Sequence, residues 1–437
     1  MTNAELKNKV FAAIDAHADE IIEIGDTIWK NPEPGYREYK TAALTAKIFK
    51  SLNLPTQEKL GLTGVRGDMN FSSDGPTVAM LGEMDSLILP THPECDPETG
   101  AVHSCGHNAS MAGMLGAAIG IAAAGIEKEL SGKIAFIAVP AEECIEIEKR
   151  LDMISKGEIA SLGGKGELIR RGVFDDVALS YMLHSAGGYA YGTHNGFITK
   201  KVTFKGFACH AAAPGGGINA LHAMTLAQSA VGLLRERWAG MNPTVRIHGI
   251  VTAGGDVVNI IPDKCKMEFL IRANDIKMLQ LLHKEFDRAM NGAALAVGAG
   301  VEINTIPGYM PQYDEKELEQ FYCDAVEEID PEIPNHGSFD RCSSTDMGDL
   351  STIMPTLHGY TAGAVGTSHG VSYRIADKTR AYVTNAKILA AITIDLLSNN
   401  AEAAKRIAAK REGKLSIKEY VELADSFNAV FSREVEK

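Results

Sequence analysis

Short apolar runs alternate with helical segments through the first half of the chain, and this alternation limits the possible folds more than any other feature. Three runs have the length and composition of buried strands: Thr77–Leu81, Lys133–Val139 and Val177–Leu183. A helix is predicted over Ala109–Ala124, between the first two runs. Strands separated by helices are typical of an α/β fold with a mainly parallel central sheet flanked by helices. The functional groups of such a sheet collect just beyond the carboxyl ends of its strands.

A second pattern begins near Gly196. Four strands and two helices are predicted there: strands over Phe197–Lys205, Thr244–Val251, Lys266–Ala273 and Val301–Ile306, and helices over Ala220–Trp238 and Lys277–Val297. This arrangement indicates a compact α+β domain of the ferredoxin-like type, and the α/β pattern returns after it. A chain of 437 residues is long enough for two domains. We therefore predict one α/β catalytic domain, residues 1–195 and 310–437, interrupted by a smaller domain at residues 196–309.

Both terminal segments are predicted to be helical. Glu5–Trp29 has apolar residues at helical spacing and is expected to form one long helix. Pro32 and Pro34 follow it, and proline cannot continue the hydrogen-bond ladder of a helix. The charged segment Ala401–Lys437 also has a helical pattern, but its sequence indicates no role.

Charge and cysteine content limit the partners and the compartment. The formal net charge of −13 repels phosphates, so neither nucleic acid nor an anionic membrane is expected as a partner. The most apolar run, Met111–Gly125, is too short to cross a bilayer, and the first residues lack the pattern of a secretory signal. Seven scattered cysteines suit free thiols better than a disulfide framework. A cytoplasmic location is therefore expected.

The strongest local motif is Cys105-Gly106-His107, directly before the helix predicted from Ala109. A thiolate and an imidazole separated by one glycine can face the same cation, and both are preferred ligands of zinc-type metals. The motif alone is equally compatible with a loop that holds a buried thiol. His103 precedes it and has no assigned role.

Adjacent carboxylates follow the predicted strand over Lys133–Val139. Glu142 and Glu143 would repel each other at a strand end unless a cation or a proton lies between them. One can bind a metal while the other takes a proton from water. His184 closes the next predicted strand, and His369 lies in a Ser-His-Gly sequence much later in the chain. Paired glutamates and single histidines are often structural. The interpretation as a metal site therefore depends on their joint placement at predicted strand ends.

Taken in this order and spacing, the motifs resemble those of the aminoacylase-like metallopeptidase family, which includes hippurate hydrolase and plant auxin-conjugate amidohydrolases. The matching segments are Gly82–Leu87, His103–His107, Pro140–Glu143, Leu183–His184, Ala208–Pro214, Asn259–Asp263 and Ser368–Gly370. Val245–Ile250, Gly254–Asn259 and Ser343–Ser351 resemble the branch that contains aminobenzoyl-glutamate hydrolase and β-alanyl-lysine-type dipeptidases. The resemblance extends over nearly the whole chain.

This resemblance implies a site that holds two divalent metal ions, such as zinc, manganese or cobalt. Five residues match metal ligands of the family: Cys105, His107, Glu143, His184 and His369. Glu142 matches the general base and acid. Asp85 is expected to orient a neighbouring group rather than to bind metal. Asn108 departs from the pattern, because many relatives have aspartate there. Glu83 lies where distant branches have a ligating histidine.

The resemblance also assigns roles within the inserted domain. That domain pairs two subunits in the family, so a homodimer is expected. His210 matches a residue that stabilises the oxyanion formed from the substrate carbonyl. Asn259 and Arg272 match positions that bind the carboxylate of the substrate, although Arg272 is also compatible with an ordinary surface arginine at a strand end.

The function implied is hydrolysis of a small-molecule amide, either an N-acyl amino acid or a short dipeptide with a free carboxylate. One alternative is hydrolysis of aromatic amide conjugates, including aminobenzoyl-glutamate and xenobiotic amides. Another is a catalytically silent relative that binds a metal or a ligand. The silent alternative is disfavoured, because Glu142 and all five matched ligands are present in the sequence.

Overall fold

A computed structural model describes residues 1–411 and 413–436 of the chain. The α-helices of these described residues, numbered in chain order, are α1 Asn3–Ala16, α2 Ala18–Trp29, α3 Tyr39–Ser51, α4 His107–Ala124, α5 Ile147–Ser155, α6 Gly164–Arg170, α7 Ala220–Met241, α8 Ile276–Ala296, α9 Lys316–Ile329, α10 Met347–Ile353, α11 Asn385–Leu397, α12 Glu402–Ala408 and α13 Ile417–Ser426. Short helical turns of other types add to these, among them Thr379–Thr384 immediately before α11.

The strands of the described residues are β1 Thr56–Leu60, β2 Gly64–Asn70, β3 Ser73–Glu83, β4 Leu87–Ile88, β5 Ala101–Val102, β6 Ser131–Val139, β7 Val177–Ser185, β8 Tyr189–His194, β9 Gly196–Lys205, β10 Arg246–Ala253, β11 Lys264–Ala273, β12 Gly300–Pro307, β13 Asn335–Arg341, β14 Thr356–Thr361, β15 Ala364–Val365, β16 Arg374–Ile375 and β17 Ala429–Arg433. β3, β6, β7 and β9 to β12 coincide closely with the strands predicted from the sequence.

The first of two compact units comprises Met1–Thr193, Tyr313–Phe339 and Asp349–Ile417. Its sheet has the strand order β1-β2-β6-β3-β7-β14-β8-β13. The four central strands, β6, β3, β7 and β14, run parallel to one another. Their carboxyl ends therefore lie along one edge of the sheet, as the alternating sequence pattern predicts. The expected mainly parallel central sheet flanked by helices is confirmed.

The helix α4 packs directly against the sheet and against α1, α2 and α11. Its sequence is rich in alanine and glycine, and nearly all of its residues are buried. At Gly113 a Cβ atom would lie 2.4 Å from Cγ of Asn385, and at Gly120 it would lie 2.2 Å from Cγ1 of Ile14. Glycine at these two positions thus permits the close approach of α11 and α1. The packing fixes the N-terminus of α4, where His107 begins the helix.

The second unit comprises His194–Gln312, Asp340–Gly348 and the residues from Lys418 onward. Its antiparallel sheet has the order β10-β11-β9-β12-β17. Without β17, the sequence of elements and the strand order are those of a ferredoxin-like fold, with α7 and α8 packed on the sheet. The predicted inserted α+β fold is therefore confirmed.

The two compact units differ from the predicted domains in two segments. The prediction placed all of residues 310–437 in the catalytic domain, but Asp340–Gly348 and the segment from Lys418 group with the second unit. The reason for the latter is that β17 pairs antiparallel with β12, Val301 being opposite Arg433. A strand also ends the C-terminal segment, which was predicted to be helical throughout.

The N-terminal helix is divided as well. Glu5–Trp29 was predicted to be continuous, but His17 leaves the helical conformation between α1 and α2, with φ −105° and ψ 14°. Nδ1 of His17 lies 2.8 Å from a carboxylate oxygen of Glu20, in the first turn of α2. Apolar spacing continues across this break, which is why the sequence pattern did not reveal it.

Among the described residues, no single helix is both long and apolar enough to cross a bilayer. The bent pair Thr379–Leu397 and Asn399–Arg411 meets that test together, by length and composition alone.

Candidate metal centre

The predicted site residues of the first unit follow the ends of its parallel strands. β3 and β6 end in register, Glu83 being opposite Val139. Asp85 comes just after β3, Glu142 and Glu143 come just after β6, and His184 lies near the end of β7. The sheet therefore brings together side chains that are far apart in sequence, as expected for the carboxyl edge of a parallel sheet.

Gly106 allows the Cys105 and His107 side chains to share one site. Its φ of 88° lies in the left-handed region, which glycine adopts without steric cost. A Cβ atom at this position would also lie 2.1 Å from Oη of Tyr373 and 2.8 Å from Cβ of Ser185. Any larger residue would have to displace that tyrosine. The reversal at Gly106 places the thiol directly before the first turn of α4.

Asp85 holds two of the predicted ligands at once. Nδ1 of His107 lies 2.9 Å from the backbone oxygen of Asp85 and 3.1 Å from its Oδ1. The backbone N–H of Glu143 donates to Oδ2 of the same carboxylate, at 2.9 Å. This arrangement fixes the imidazole ring and leaves Nε2 as its outward nitrogen, as seen for histidines that bind metals. The predicted orienting role of Asp85 is consistent with these contacts.

The Cys105 thiol lies between two histidines. Its Sγ is 3.3 Å from Nε2 of His184 and 3.3 Å from Nε2 of His369. His369 also approaches Glu143, with 3.2 Å between Nε2 and Oε1. Cys105, His107 and His184 thus form one group of ligand atoms that all lie within 4.8 Å of one another, and Cys105, Glu143 and His369 form a second. The two groups share the thiol.

The two outer histidines are positioned by backbone contacts. Nδ1 of His184 lies 2.9 Å from the backbone oxygen of Ser185, so Nε2 is its nitrogen toward the thiol. His369 has a φ of 61°, unusual for a residue with a side chain, and its backbone N–H donates to the oxygen of Ser104. The loop that carries His369 is therefore tied to the Cys-Gly-His turn.

The electrostatics of these groups fit a bound cation. Burial alone would raise the pKa of Cys105, but the imidazoles of His184 and His107 hold it well below its usual value. Burial and the neighbouring thiolate raise the pKa of Glu143 to about 7. Nε2 of His107 is buried without a hydrogen-bond partner among the described residues, and Oε1 of Glu143 is buried beside Nε2 of His369. Divalent cations would bind both atoms and offset the two negative charges.

Glu142 lies beside these groups and is mostly buried. One of its carboxylate oxygens is 3.8 Å from Nε2 of His107, and it forms a further group of neighbouring ligand atoms with His107 and Glu143. The preceding residue, Ala141, has a φ of 52°. Its backbone N–H donates to the buried carboxylate of Glu38 at 2.8 Å, which holds the chain in this left-handed conformation. Glu38 had no signal in the sequence, because it acts through a long-range contact.

Aromatic rings surround His184, and these neighbours were also missed. The ring of His184 lies 5.8 Å from that of His358 and 5.6 Å from that of Tyr360, between centroids. Tyr373 donates a hydrogen bond to Oγ of Ser185 at 2.9 Å. His358 and Tyr360 lie on β14 and Tyr373 lies on a later loop, and no motif in the sequence indicated them. They restrict the orientation of the histidine.

His103 and Asn108 flank the Cys-Gly-His motif, and both lie in the protein interior. Burial lowers the pKa of His103 to about 3, so its ring is neutral at physiological pH. Asn108, which stands where many family members have aspartate, donates to the hydroxyl of Tyr382 at 2.9 Å and to the oxygen of Gly25 at 3.3 Å. The amide therefore links α4 to α2 and to the turn before α11.

The remaining predicted residues lie in the second unit. His210 is exposed, and its Nδ1 accepts a hydrogen bond from the N–H of Ala212 at 3.0 Å. A neutral ring in this position carries its proton on Nε2. Asn259 is exposed and accepts a hydrogen bond from Ala211 through its backbone oxygen. Arg272 is half-buried on β11 and donates to the oxygen of Cys342 at 3.2 Å.

Fold and site together define a hydrolase of the metallopeptidase type, with a catalytic α/β unit and a ferredoxin-like second unit. Residues 192–297 match the model of the peptidase dimerisation domain of the M20 family. The mouse Xaa-Arg dipeptidase is 30% identical over 414 residues, which cover 90% of this chain and 89% of the relative. This chain belongs to the M20 family of metallopeptidases, and the resemblance inferred from its motifs is confirmed.

Other similar proteins agree with this assignment. One of the subunits of the Escherichia coli p-aminobenzoyl-glutamate hydrolase is 29% identical over 307 residues, which cover 66% of this chain and 58% of the relative. A dinuclear metal-binding peptidase of the M20 family from Bacillus subtilis has a similar fold, with a TM-score of 0.67 and 18% identity. That match covers 88% of this chain and 99% of the solved structure.

Proposed function

We propose that the carboxyl edge of the first sheet binds two divalent metal ions and hydrolyses an amide bond. Cys105, His107 and His184 would hold one ion, and Cys105, Glu143 and His369 the other, with the thiolate shared between them. The observation that carries the proposal is the equal distance of 3.3 Å from Sγ of Cys105 to Nε2 of both outer histidines. Two ligand atoms on one tetrahedral zinc-type ion lie roughly 3.4 Å apart, given metal–ligand bonds of about 2.0–2.3 Å.

The donor set limits the identity of the metal. One thiolate, three imidazoles and one carboxylate suit zinc, whereas calcium and magnesium prefer oxygen ligands. Manganese and cobalt are candidates through the resemblance to the family. The dinuclear character of the similar Bacillus subtilis peptidase supports the number of ions. When bound, such ions acidify a water molecule and polarise the carbonyl of an amide.

The protein residues then carry the proton transfers. Glu142 takes a proton from water as the oxygen bonds to the carbonyl carbon, and it returns this proton to the amine as the carbon–nitrogen bond breaks. His210 donates Nε2–H to the oxyanion that develops on the carbonyl. Acid and amine leave as separate products, so atoms and charge balance without another reactant.

The substrate proposed is an N-acyl amino acid or a short dipeptide with a free carboxylate. Arg272 lies directly opposite Arg246 in the antiparallel pair of β10 and β11, so both side chains emerge on the same face. Like charges in this position repel each other, and an anionic group would relieve the repulsion. Asn259 would add a polar contact. The relatives named for Xaa-Arg dipeptides and for p-aminobenzoyl-glutamate support a substrate of this kind.

An aromatic amide is the second candidate, favoured by the similarity to the p-aminobenzoyl-glutamate hydrolase. Both substrates share the amide bond and the carboxylate, so they differ only at the acyl group. Comparison of aliphatic and aromatic acyl groups on the same amino acid would decide between them.

We further propose that two copies of the chain associate through the second unit. The matched dimerisation domain supports this arrangement. α7 and β10 also expose large apolar side chains: Leu226, Leu233, Met241, Ile250 and Val251. β10 is an edge strand whose outer side can pair with a second copy. A cytoplasmic location is proposed from the seven free cysteines, which suit a reducing compartment.

The test is metal analysis combined with amide hydrolysis. Purified protein would be stripped with a chelator, reconstituted separately with zinc, manganese and cobalt, and assayed on acyl amino acids and dipeptides. We expect two ions per chain, hydrolysis only after reconstitution, and much weaker but measurable hydrolysis when the substrate carboxylate is amidated. Failure to bind any divalent ion after reconstitution would disprove the proposal. Light scattering of the same samples would measure whether the protein is a dimer.

A further inference from the structure

A fully buried lysine lies next to the candidate metal centre. Nζ of Lys165, in the first turn of α6, is 2.6 Å from Oε1 of Glu83, the last residue of β3. Both side chains are 0% exposed. Removing two charges from water is costly, and an ion pair of this kind often stabilises a fold no better than an apolar pair of the same volume. Its presence at this position therefore suggests a role beyond stability.

The second oxygen of Glu83 faces the proposed ligand His107. Oε2 lies 3.4 Å from Nε2 of His107, on the side of the ring away from Asp85. Neither atom has a hydrogen-bond partner among the described residues. The carboxylate is thus held by Lys165 on one side and directed toward the metal-binding nitrogen on the other. A cation bound to that nitrogen would lie within a few ångströms of a buried negative charge.

The environment makes such a charge effective. Water normally screens a carboxylate, but a pair with no exposed surface is screened much less. The carboxylate attracts a cation on His107, and the ammonium of Lys165 opposes part of this attraction. Lys165 also fixes the direction of the carboxylate, because it binds the other oxygen.

We propose that Glu83 and Lys165 are positioning residues that set how tightly the centre holds the metal ion on His107. This inference rests on the proposed metal ligands, and it adds two residues that the ligand set does not include. The proposal predicts that removal of the carboxylate and removal of the ammonium change the metal affinity in opposite directions. Loss of the carboxylate removes a negative charge near the cation, and loss of the ammonium removes a positive charge there.

The experiment measures the dissociation constants of zinc and manganese by competition with a chromogenic chelator, for the full-length protein and its variants. Glu83→Gln is expected to weaken the binding of one ion by tenfold or more. Lys165→Met is expected to leave that binding as tight as in the unmodified protein or to tighten it. The double variant, which removes both charges, should fall between the two.

A purely structural pair would behave differently, since both single variants would lower the melting temperature and weaken metal binding in the same direction. That outcome would overturn the inference. Unchanged dissociation constants in both Glu83→Gln and Lys165→Met would also overturn it. Lys200→Met is the matched control, because Lys200 is also 0% exposed but pairs with Asp287 in the second unit. It should lower the melting temperature and leave metal binding unchanged.

The same binding measurements distinguish a failure of this inference from a failure of the proposed function. If the unmodified protein binds two ions and Cys105→Ala does not, the metal centre stands whatever Glu83→Gln shows. If the unmodified protein binds no divalent ion after reconstitution, the proposed function fails, and the inference fails with it.

Discussion

The predicted functional residues of the two units differ in how firmly the fold holds them. In the first unit, His107 is fully buried and Asp85 fixes its ring through one nitrogen. In the second unit, His210 is exposed, and one hydrogen bond from a neighbouring backbone N–H orients it. The proposed metal ligand is thus held by buried packing, whereas the proposed oxyanion donor lies on the surface. We therefore expect substitutions at His210 to leave the metal centre undisturbed.

The sharpest test of this comparison is Glu142→Gln. The amide keeps the size of the side chain but cannot take a proton, so kcat is expected to fall by about 10²–10⁴-fold. Metal content should remain at two ions per chain, because Glu142 is not among the proposed ligands. Steady-state assays and metal analysis of the same preparation would measure both. Full turnover in this variant would exclude Glu142 as the base.

His210→Ala tests the exposed histidine of the second unit. Loss of one oxyanion donor is expected to lower kcat by about 10²–10³-fold. Metal affinity and melting temperature should not change, because the side chain is exposed in its own unit. Ala212→Gly would serve as a control for backbone disturbance near His210. Loss of bound metal in His210→Ala would contradict the separation of roles between the two units.

Asp85→Asn tests the buried candidate metal centre of the first unit. The Asp85 carboxylate orients the ring of His107 through one oxygen and accepts the N–H of Glu143 through the other. The amide keeps the shape of the side chain but loses its negative charge, so metal affinity is expected to fall by about 10–100-fold. Turnover at saturating metal should fall much less than in Glu142→Gln. Chelator competition measures the affinity, and metal titration of the activity checks it. An unchanged affinity would show that the ring of His107 is held by other contacts.

Arg272→Lys is expected to have the smallest effect. Lysine keeps the charge but lacks the planar fork that matches a carboxylate, so KM should rise by roughly tenfold with little change in kcat. A substrate with an amidated carboxylate should show no difference between the two proteins. If KM rose equally for both substrates, Arg272 would not contact the carboxylate.

The sequence was informative wherever a local pattern determines the structure. Apolar runs located β3, β6 and β7, and the spacing of Cys105 and His107 indicated a shared cation. The resemblance to a known family then linked these residues to His184 and His369. The structure brings all of them to one edge of one sheet, within hydrogen-bonding distance of each other or close to it.

The features that were missed depend on contacts between distant residues. Lys165 and Glu83 are 82 positions apart, and neither residue type signals a partner. Glu38 contacts Ala141 over 103 positions. The pairing of β17 with β12 likewise has no local signal, because paired residues such as Val301 and Arg433 are far apart in the sequence. Only the folded chain reveals such pairs.

The β12–β17 pairing has a consequence for the synthesis of the protein. β12 emerges from the ribosome long before Ala429–Arg433, which forms its outer neighbour. Throughout that interval the edge of β12 lacks its partner, and open strand edges readily pair with other chains. Nascent chains that stall before β17 are therefore expected to be prone to misassembly, although all of the proposed metal ligands have already been synthesised.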